Sequence, residues 1–171
     1  MSDFWVFGYG SLIWKPEFKF KAEQRACLQG YHRNLCIDSW HYRGTQEKPG
    51  LVFGLDAGGS CEGMARLVDS EHKEEVLAYL RERELLNNVY KEVIVSIDLI
   101  DGTTVEAVTY VADETHEQYN CSLGQDEIVR RIKRASGIGG PNLDYVKNTY
   151  AALQSMNIKD EKLETLVQKL D

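Results

Sequence analysis

Long apolar runs are missing from this chain. No stretch approaches the roughly 18 to 20 residues that span a bilayer, and no basic opening segment leads into a shorter apolar one, so neither a spanning helix nor a secretory leader is expected. Cysteine is sparse and scattered: Cys27, Cys36, Cys61 and Cys121 form no C-x-x-C pair, which excludes the common redox and zinc-ribbon spacings and predicts reduced thiols in a cytoplasmic protein. The histidines, His32, His41, His72 and His116, make no H-x-x-x-H set, so no metal site is expected. Positive charge is also in short supply. Twenty Lys and Arg against 27 Asp and Glu give a formal net charge of −7, which opposes blanket attraction to nucleic acid or anionic lipid, and neither is expected as a partner. The one basic cluster, Arg130, Arg131, Lys133 and Arg134, alternates with Ile128, Val129, Ile132 and Ala135 and reads as a solvated helix face.

What is present is an ordinary globular composition, 43% hydrophobic and 27% charged over 171 residues, enough for one domain spanning 1–171. The front of the chain reads as strands. Phe4 to Phe7, Ala22 to Gln29, Leu35 to Ser39, Leu51 to Leu55 and Glu62 to Val68 are short, β-branched or aromatic-rich, and punctuated by glycines. A helix from about Ser70 to Leu85 follows, then strands Lys91 to Leu99 and Val105 to Ala112 joined by the hairpin signal Asp101-Gly102. From Gly124 the period becomes helical. One helix ends at Ser136 before Gly137, Gly139 and Gly140, a second starts near Pro141-Asn142 and carries Val146, Tyr150 and Leu153, and a third from Asp160 sets Leu163, Leu166, Val167 and Leu170 in a docking stripe. The order predicts an α+β domain with a strongly curved or closed sheet.

One carboxylate breaks the helical pattern. On the helix around Ala78, at about 100° per residue, Val76, Leu77 and Leu80 define the apolar stripe, and Glu84 falls between the directions of Leu77 and Leu80 while Glu71, Glu75 and Glu82 point elsewhere. An inward carboxylate is costly unless hydrogen-bonded, paired or protonated, and desolvation raises its pKa, which suits proton transfer. The same placement also suits a structural carboxylate capped by a loop amide near Leu85-Leu86-Asn87-Asn88, or paired with Arg81 or Arg43.

A second feature is the apolar strand that breaks into a glycine-flanked turn at Gly8-Tyr9-Gly10-Ser11-Leu12. Glycines admit close backbone approach, and successive free N–H groups make a concavity that accepts a carboxylate; an ordinary strand-to-turn junction has the same appearance. A dinucleotide fingerprint is excluded because no third glycine follows and Pro16 is near. Ser11 lacks a G-x-S-x-G elbow, so it is read as holding the turn or as a hydrogen-bond partner of substrate rather than as a nucleophile. Arg43, in Trp40-His41-Tyr42-Arg43-Gly44-Thr45, either pairs with a carboxylate or braces the sheet. Tyr145 offers its hydroxyl to a ligand or to a core edge.

Four blocks, Phe7-Gly8-Tyr9-Gly10-Ser11-Leu12-Ile13-Trp14-Lys15-Pro16, Tyr42-Arg43-Gly44-Thr45 with Lys48-Pro49-Gly50-Leu51-Val52, Leu80-Arg81-Glu82-Arg83-Glu84, and Gly140-Pro141-Asn142-Leu143-Asp144-Tyr145, resemble in type and order the ChaC γ-glutamylcyclotransferases. The resemblance implies a curved, partly barrel-like mixed β-sheet flanked by helices, with no cofactor and no metal. It implies cleavage of glutathione to 5-oxoproline and Cys-Gly with Glu84 as the catalytic residue. It assigns the substrate-cradling loop to Tyr9, Gly10, Ser11 and Leu12 and a place near the substrate to Tyr145; Phe7, Gly8 and Arg43 are further substrate-binding candidates. Two rival activities share these residues: a cyclotransferase for other γ-glutamyl amines or dipeptides, and a non-catalytic ligand-binding regulator. The chain departs from the pattern at Leu85-Leu86-Asn87-Asn88-Val89-Tyr90, where bacterial members often carry Met and then Thr-Gly, and at Gly63-Met64-Ala65-Arg66-Leu67, which lacks an aromatic residue before the arginine. The first departure implies a different pocket wall; the second questions the strand register.

Overall fold

A computed structural model of the chain describes residues 2–85 and 89–171. Its elements are β1 (Phe4–Gly8), a short α1 (Ser11–Trp14), β2 (Ala22–Ser39), β3 (Gly50–Val68), α2 (Lys73–Glu84), β4 (Tyr90–Leu99), β5 (Thr104–Ala112), α3 (Gln125–Arg134), β6 (Ser136–Gly137), β7 (Gly140–Pro141), α4 (Asn142–Ser155) and α5 (Glu161–Leu170). The fold is α+β as expected, and the mixed sheet is closed: the strand order is β1-β3-β2-β4-β5, with β5 returning to β1.

Two boundaries differ from the sequence reading for one physical reason. The segments read as Ala22 to Gln29 and Leu35 to Ser39 are a single strand, and so are Leu51 to Leu55 and Glu62 to Val68. Gly30, Gly58 and Gly59 interrupt the apolar pattern but lie inside these strands with φ of 93°, 101° and 71°. Glycine in that region kinks a strand without ending it, and such kinks let long strands coil into a barrel. The helix expected from Ser70 begins as a 3-10 turn at Ser70–His72 and becomes α2 at Lys73. Likewise α3 stops at Arg134, because Ser136–Gly137 pairs with Gly140–Pro141 as a small hairpin.

The chain divides into two compact units, Met1–Asn34 with Gly54–Asp113, and Leu35–Phe53 with Glu114–Asp171. In the first unit β1 pairs antiparallel with β3, Phe4 opposite Val68 through Gly8 opposite Met64, and parallel with β5 at Trp5 opposite Ala107 and Val6 opposite Val108. The register across Met64 to Leu67 is therefore unbroken despite the missing aromatic residue. A Cβ on Gly63 would stand 2.3 Å from the Gly8 carbonyl oxygen, so only glycine permits this approach of β3 to β1. The hairpin at Asp101-Gly102 joins β4 and β5 as predicted, with Gly102 at φ 93° and the Thr103 N–H donating to Asp101 Oδ1 at 2.8 Å. The helix α2 lays Val76 and Leu80 on a core cluster with Val6, Leu12, Val68 and Tyr110.

In the second unit α3, α4 and α5 pack on one another around Ile132, Val146, Leu153, Leu163, Leu166 and Leu170. Val167 and Tyr150 are only half-buried, at the margin of the stripes assigned to them. The helix α4 ends with Asn157 at φ 57°; the Asn157 N–H bonds to Gln154 O at 3.1 Å and Ile158 N–H to Leu153 O at 2.9 Å, the double closure that a left-handed residue makes after a helix. Asp160 caps α5 through the Leu163 N–H. The basic face of α3 needs one correction. Arg130, Lys133 and Arg134 are exposed, but Arg131 turns inward and donates to Asp38 Oδ1 at 2.7 Å, because Asp38 lies beside α3 with its own carbonyl held by Gln118. No helix among the described residues is long and apolar enough to cross a membrane.

Candidate active site

Glu84 is the last residue of α2, four positions after the fully buried Leu80, so the helical period carries its side chain toward the core as the wheel required. The side chain is 14% exposed. Among the described residues its one ionic neighbour is Arg83, whose Nε lies 3.6 Å from Glu84 Oε1. Neither structural pairing anticipated from the sequence is its partner: Arg81 instead binds Glu92 through two N–H···O bonds of 3.0 Å each, and Arg43 makes its contacts in the second unit. Residues 86–88, where a capping amide and part of the departing segment were placed, lie outside the described residues. Burial raises the Glu84 pKa to about 7, a rise that Arg83 offsets only in part.

The strand-to-turn segment is built on β1. Phe7 is fully buried and its carbonyl accepts from Thr109 Oγ1 at 2.9 Å. A Cβ on Gly8 would meet the Leu12 Cβ at 3.1 Å, so this glycine lets the first turn of α1 fold back on the strand. Both residues thus shape the turn through packing. The Tyr9 hydroxyl donates to the Tyr110 carbonyl at 2.8 Å and the Tyr9 carbonyl accepts from Arg33 Nε at 2.6 Å. Gly10 precedes α1, and Ser11 and Leu12 open it, where the first N–H groups of a helix have no intrahelical partner. Beyond them, Arg66 donates to the Leu12 carbonyl at 2.6 Å and the Ile13 carbonyl at 2.8 Å, with Glu23 as its acid partner.

The turn and the acid are joined by Arg83, whose Nη2 donates to Ser11 Oγ at 2.9 Å while its Nε faces Glu84. Two residues far apart in sequence, Ser11 and Glu84, therefore meet at one guanidinium. Neither Arg83 nor Arg66 was singled out by sequence reasoning. The signal for Arg66 was a charged residue inside the apolar strand Met64 to Val68. Arg83 gave no such signal, because it reads as one more exposed charge in Arg-Glu-Arg-Glu.

Beside the acid lies Tyr110, buried on β5, whose hydroxyl donates to Glu92 Oε1 at 2.8 Å. Burial, then this bond, hold its phenol neutral far above its ordinary range. Glu92 shows the opposite shift, its carboxyl held below the usual value mainly by the bonds from Arg81.

In the second unit, Arg43 and Tyr145 are brought together. The guanidinium lies 5.5 Å from the Tyr145 ring centroid and donates to the Pro141 carbonyl at 3.2 Å. The Tyr145 hydroxyl accepts from the Phe53 N–H at 2.9 Å and its ring packs on Phe53, so the core-edge role is filled. Among the described residues no cluster of three or more His, Cys, Asp or Glu is placed to hold a metal ion.

Comparison with known proteins adds an independent line. The family model for ChaC-like proteins matches residues 4–171. The chain is 33% identical over 163 residues to a glutathione-specific gamma-glutamylcyclotransferase of Escherichia coli, covering 95% of this chain and 71% of that protein. It is 31% identical to gamma-glutamylcyclotransferase 2-3 of Arabidopsis thaliana, covering 97% and 87% of the two chains. A crystal structure of a yeast gamma-glutamyl cyclotransferase specific to glutathione superposes with a TM-score of 0.91 over 99% of this chain and 96% of the other at 23% identity, a likeness of fold.

Proposed function

Because the chain belongs to the ChaC-like family, we propose that it is a γ-glutamylcyclotransferase that cleaves glutathione to 5-oxoproline and Cys-Gly, with Glu84 as the acid/base. The observation that carries this reading is a glutamate, shielded from water with a pKa of about 7, tied through its neighbour Arg83 to the turn at Ser11. The glutathione specificity of the Escherichia coli relative supports the substrate. The family match over residues 4–171 supports one functional domain, and four cysteines, none in a disulfide among the described residues, support a reducing cytosolic setting.

The chemistry needs no covalent enzyme intermediate. The α-carboxylate of the γ-glutamyl group docks on the N–H groups of Gly10, Ser11 and Leu12, which bends the α-amine onto its own γ-carbonyl. The amine nitrogen bonds to the carbonyl carbon, and Glu84 takes the proton that this nitrogen sheds. The carbon–nitrogen bond to the cysteine then breaks, and Glu84 returns the proton to the departing amine. An α-amino group titrates near 7.7 to 8.0, so an ordinary glutamate at about 4.3 would face a transfer uphill by roughly 5 kcal/mol. At about 7 the gap falls to about 1 unit, or roughly 1.4 kcal/mol.

The test assays the parent and Glu84→Gln side by side for 5-oxoproline from glutathione, γ-Glu-Ala and γ-Glu-ε-Lys, the parent reporting the substrate and the variant the role of Glu84. The variant is expected to keep the fold and to lose about 100- to 10,000-fold in turnover, the usual worth of a positioned acid/base. Near wild-type turnover rejects the role of Glu84, and release from γ-Glu-Ala or γ-Glu-ε-Lys but not glutathione rejects the substrate.

A further inference from the structure

A guanidinium has five N–H donors in a fixed plane. In Arg83 they are distributed over two segments. Nη1 donates to the Lys15 carbonyl at 2.6 Å, the Pro16 carbonyl at 3.3 Å and the Tyr79 hydroxyl at 3.0 Å; Nη2 donates to Ser11 Oγ at 2.9 Å; Nε faces the Glu84 carboxylate at 3.6 Å. Tyr79 in turn donates to Glu17 Oε2 at 3.0 Å, so a second side chain of α2 grips the same turn. The Arg83 side chain is 17% exposed. It is far from the freely solvated charge its sequence context suggests, and ion pairs or bonds this sheltered are worth more than surface ones.

We propose that Arg83 is a positioning residue for Glu84: by holding Ser11 and the Lys15–Pro16 backbone with one edge of its guanidinium and facing the carboxylate with the other, it fixes the proton carrier against the turn that seats the substrate. The inference rests on the reading of Glu84 as the acid/base. Ser11 contributes the second half of the argument. Its hydroxyl oxygen accepts from Arg83, the one partner of that hydroxyl among the described residues, which leaves the hydroxyl hydrogen available to donate toward a bound carboxylate. A lysine at position 83 would keep the charge but cannot span both segments.

The electrostatics follow from the geometry. The groups that bear on Glu84 are Arg83 from its own helix and Tyr110 from β5. Tyr110 is neutral, and Glu92 of β4 behind it is neutralised by Arg81. On the turn, Lys15 and Glu17 pair with each other at 3.5 Å. Arg83 is thus the cation that favours the ionised form of Glu84 against burial, and removing it moves the acid limb of the rate profile to higher pH.

The experiment compares Arg83→Met, Arg83→Lys, Ser11→Ala, the double variant Arg83→Met with Ser11→Ala, and Glu84→Gln, measuring kcat and KM for 5-oxoproline release from glutathione between about pH 5.5 and 9. Arg83→Met is expected to lose about 100-fold in kcat/KM, with the acid limb displaced upward. Arg83→Lys is expected to keep the limb near its original position while KM rises, because the charge remains and the grip on the turn does not. Adding Ser11→Ala to Arg83→Met should cost less than about 2-fold more, since the two residues act as a unit. Unchanged kcat/KM and pH profile in Arg83→Met beside an inactive Glu84→Gln overturns the positioning role and leaves the acid/base intact. If Arg83→Met does not fold, an unaltered KM in Arg83→Lys overturns it instead. Turnover retained by Glu84→Gln overturns the underlying reading itself.

Discussion

Tyr9 donates its hydroxyl hydrogen to the backbone carbonyl of Tyr110 at 2.8 Å, across 101 residues of sequence. The parallel ladder between β1 and β5 ends at Val6 opposite Val108; beyond it, the Thr109 hydroxyl on the Phe7 carbonyl and the Tyr9 hydroxyl on Tyr110 continue the tie with side chains. The residue that begins the turn is thereby fixed to the strand that carries Tyr110. Tyr9→Phe keeps the ring and leaves the Tyr110 carbonyl without this partner, so unfolding stability should fall by about 1 to 3 kcal/mol. Thermal melts check it; an unchanged Tm would show the bond to be dispensable.

The raised pKa of Glu84 has a stability consequence whose sign is opposite to that of a paired surface carboxylate. Between its unfolded value of about 4.5 and its folded value of about 7, the folded state holds the proton more tightly, so stability is lost as pH rises through this window and the loss is complete above about 7. The difference between those two values corresponds to roughly 3 kcal/mol. Glu84→Gln should therefore be more stable than the parent at pH 8 by up to that amount and indistinguishable at pH 4. Urea titrations at the two pH values test it, and equal gains at both would contradict a burial origin.

Leu80 anchors α2 one turn before Glu84, fully buried against Val6, Leu12, Val68 and Tyr110. Leu80→Ala should cost about 2 to 5 kcal/mol through lost transfer energy and the cavity left behind. Denaturant unfolding gives the number; a cost below about 1 kcal/mol would mean that the helix is held elsewhere.

Asn142 in the second unit takes the Leu51 N–H on Oδ1 and gives Nδ2 to the Leu51 carbonyl, both at 2.8 Å, with no exposure to solvent. Its carboxamide copies the pairing of a neighbouring strand. Asn142→Leu leaves a buried donor and acceptor together unmatched and should cost about 2 to 5 kcal/mol. Asn142→Asp, which retains an acceptor but no donor, should fall between the two in Tm.

Much of this architecture was legible because periodicity survives local detail. The inward turn of Glu84 followed from its angle relative to Leu80, and the β4–β5 hairpin from Asp101-Gly102. What escaped were features in which a residue type has two opposite uses. Gly30, Gly58 and Gly59 look like strand ends and are bends inside strands. Arg131 looks like one cation among four on a wet face, and only the arrival of Asp38, 93 residues earlier, turns it inward. Arg83 was hidden for the same reason: its partners Ser11, Lys15 and Pro16 are set by tertiary docking, which no local pattern records.

The brevity of β1 has an outcome for how the protein comes into being. Five residues at the front of the chain pair with β3 about 60 positions later and with β5 about 100 positions later, and distant pairing of this kind bears a loop-closure cost and slows assembly. During synthesis the opening segment waits unpaired on one flank until Thr104–Ala112 has emerged from the ribosome. The sheet cannot close without β5, so a nascent chain cut short before β5 is expected to be inert, and the onset of turnover would time the closing of the barrel.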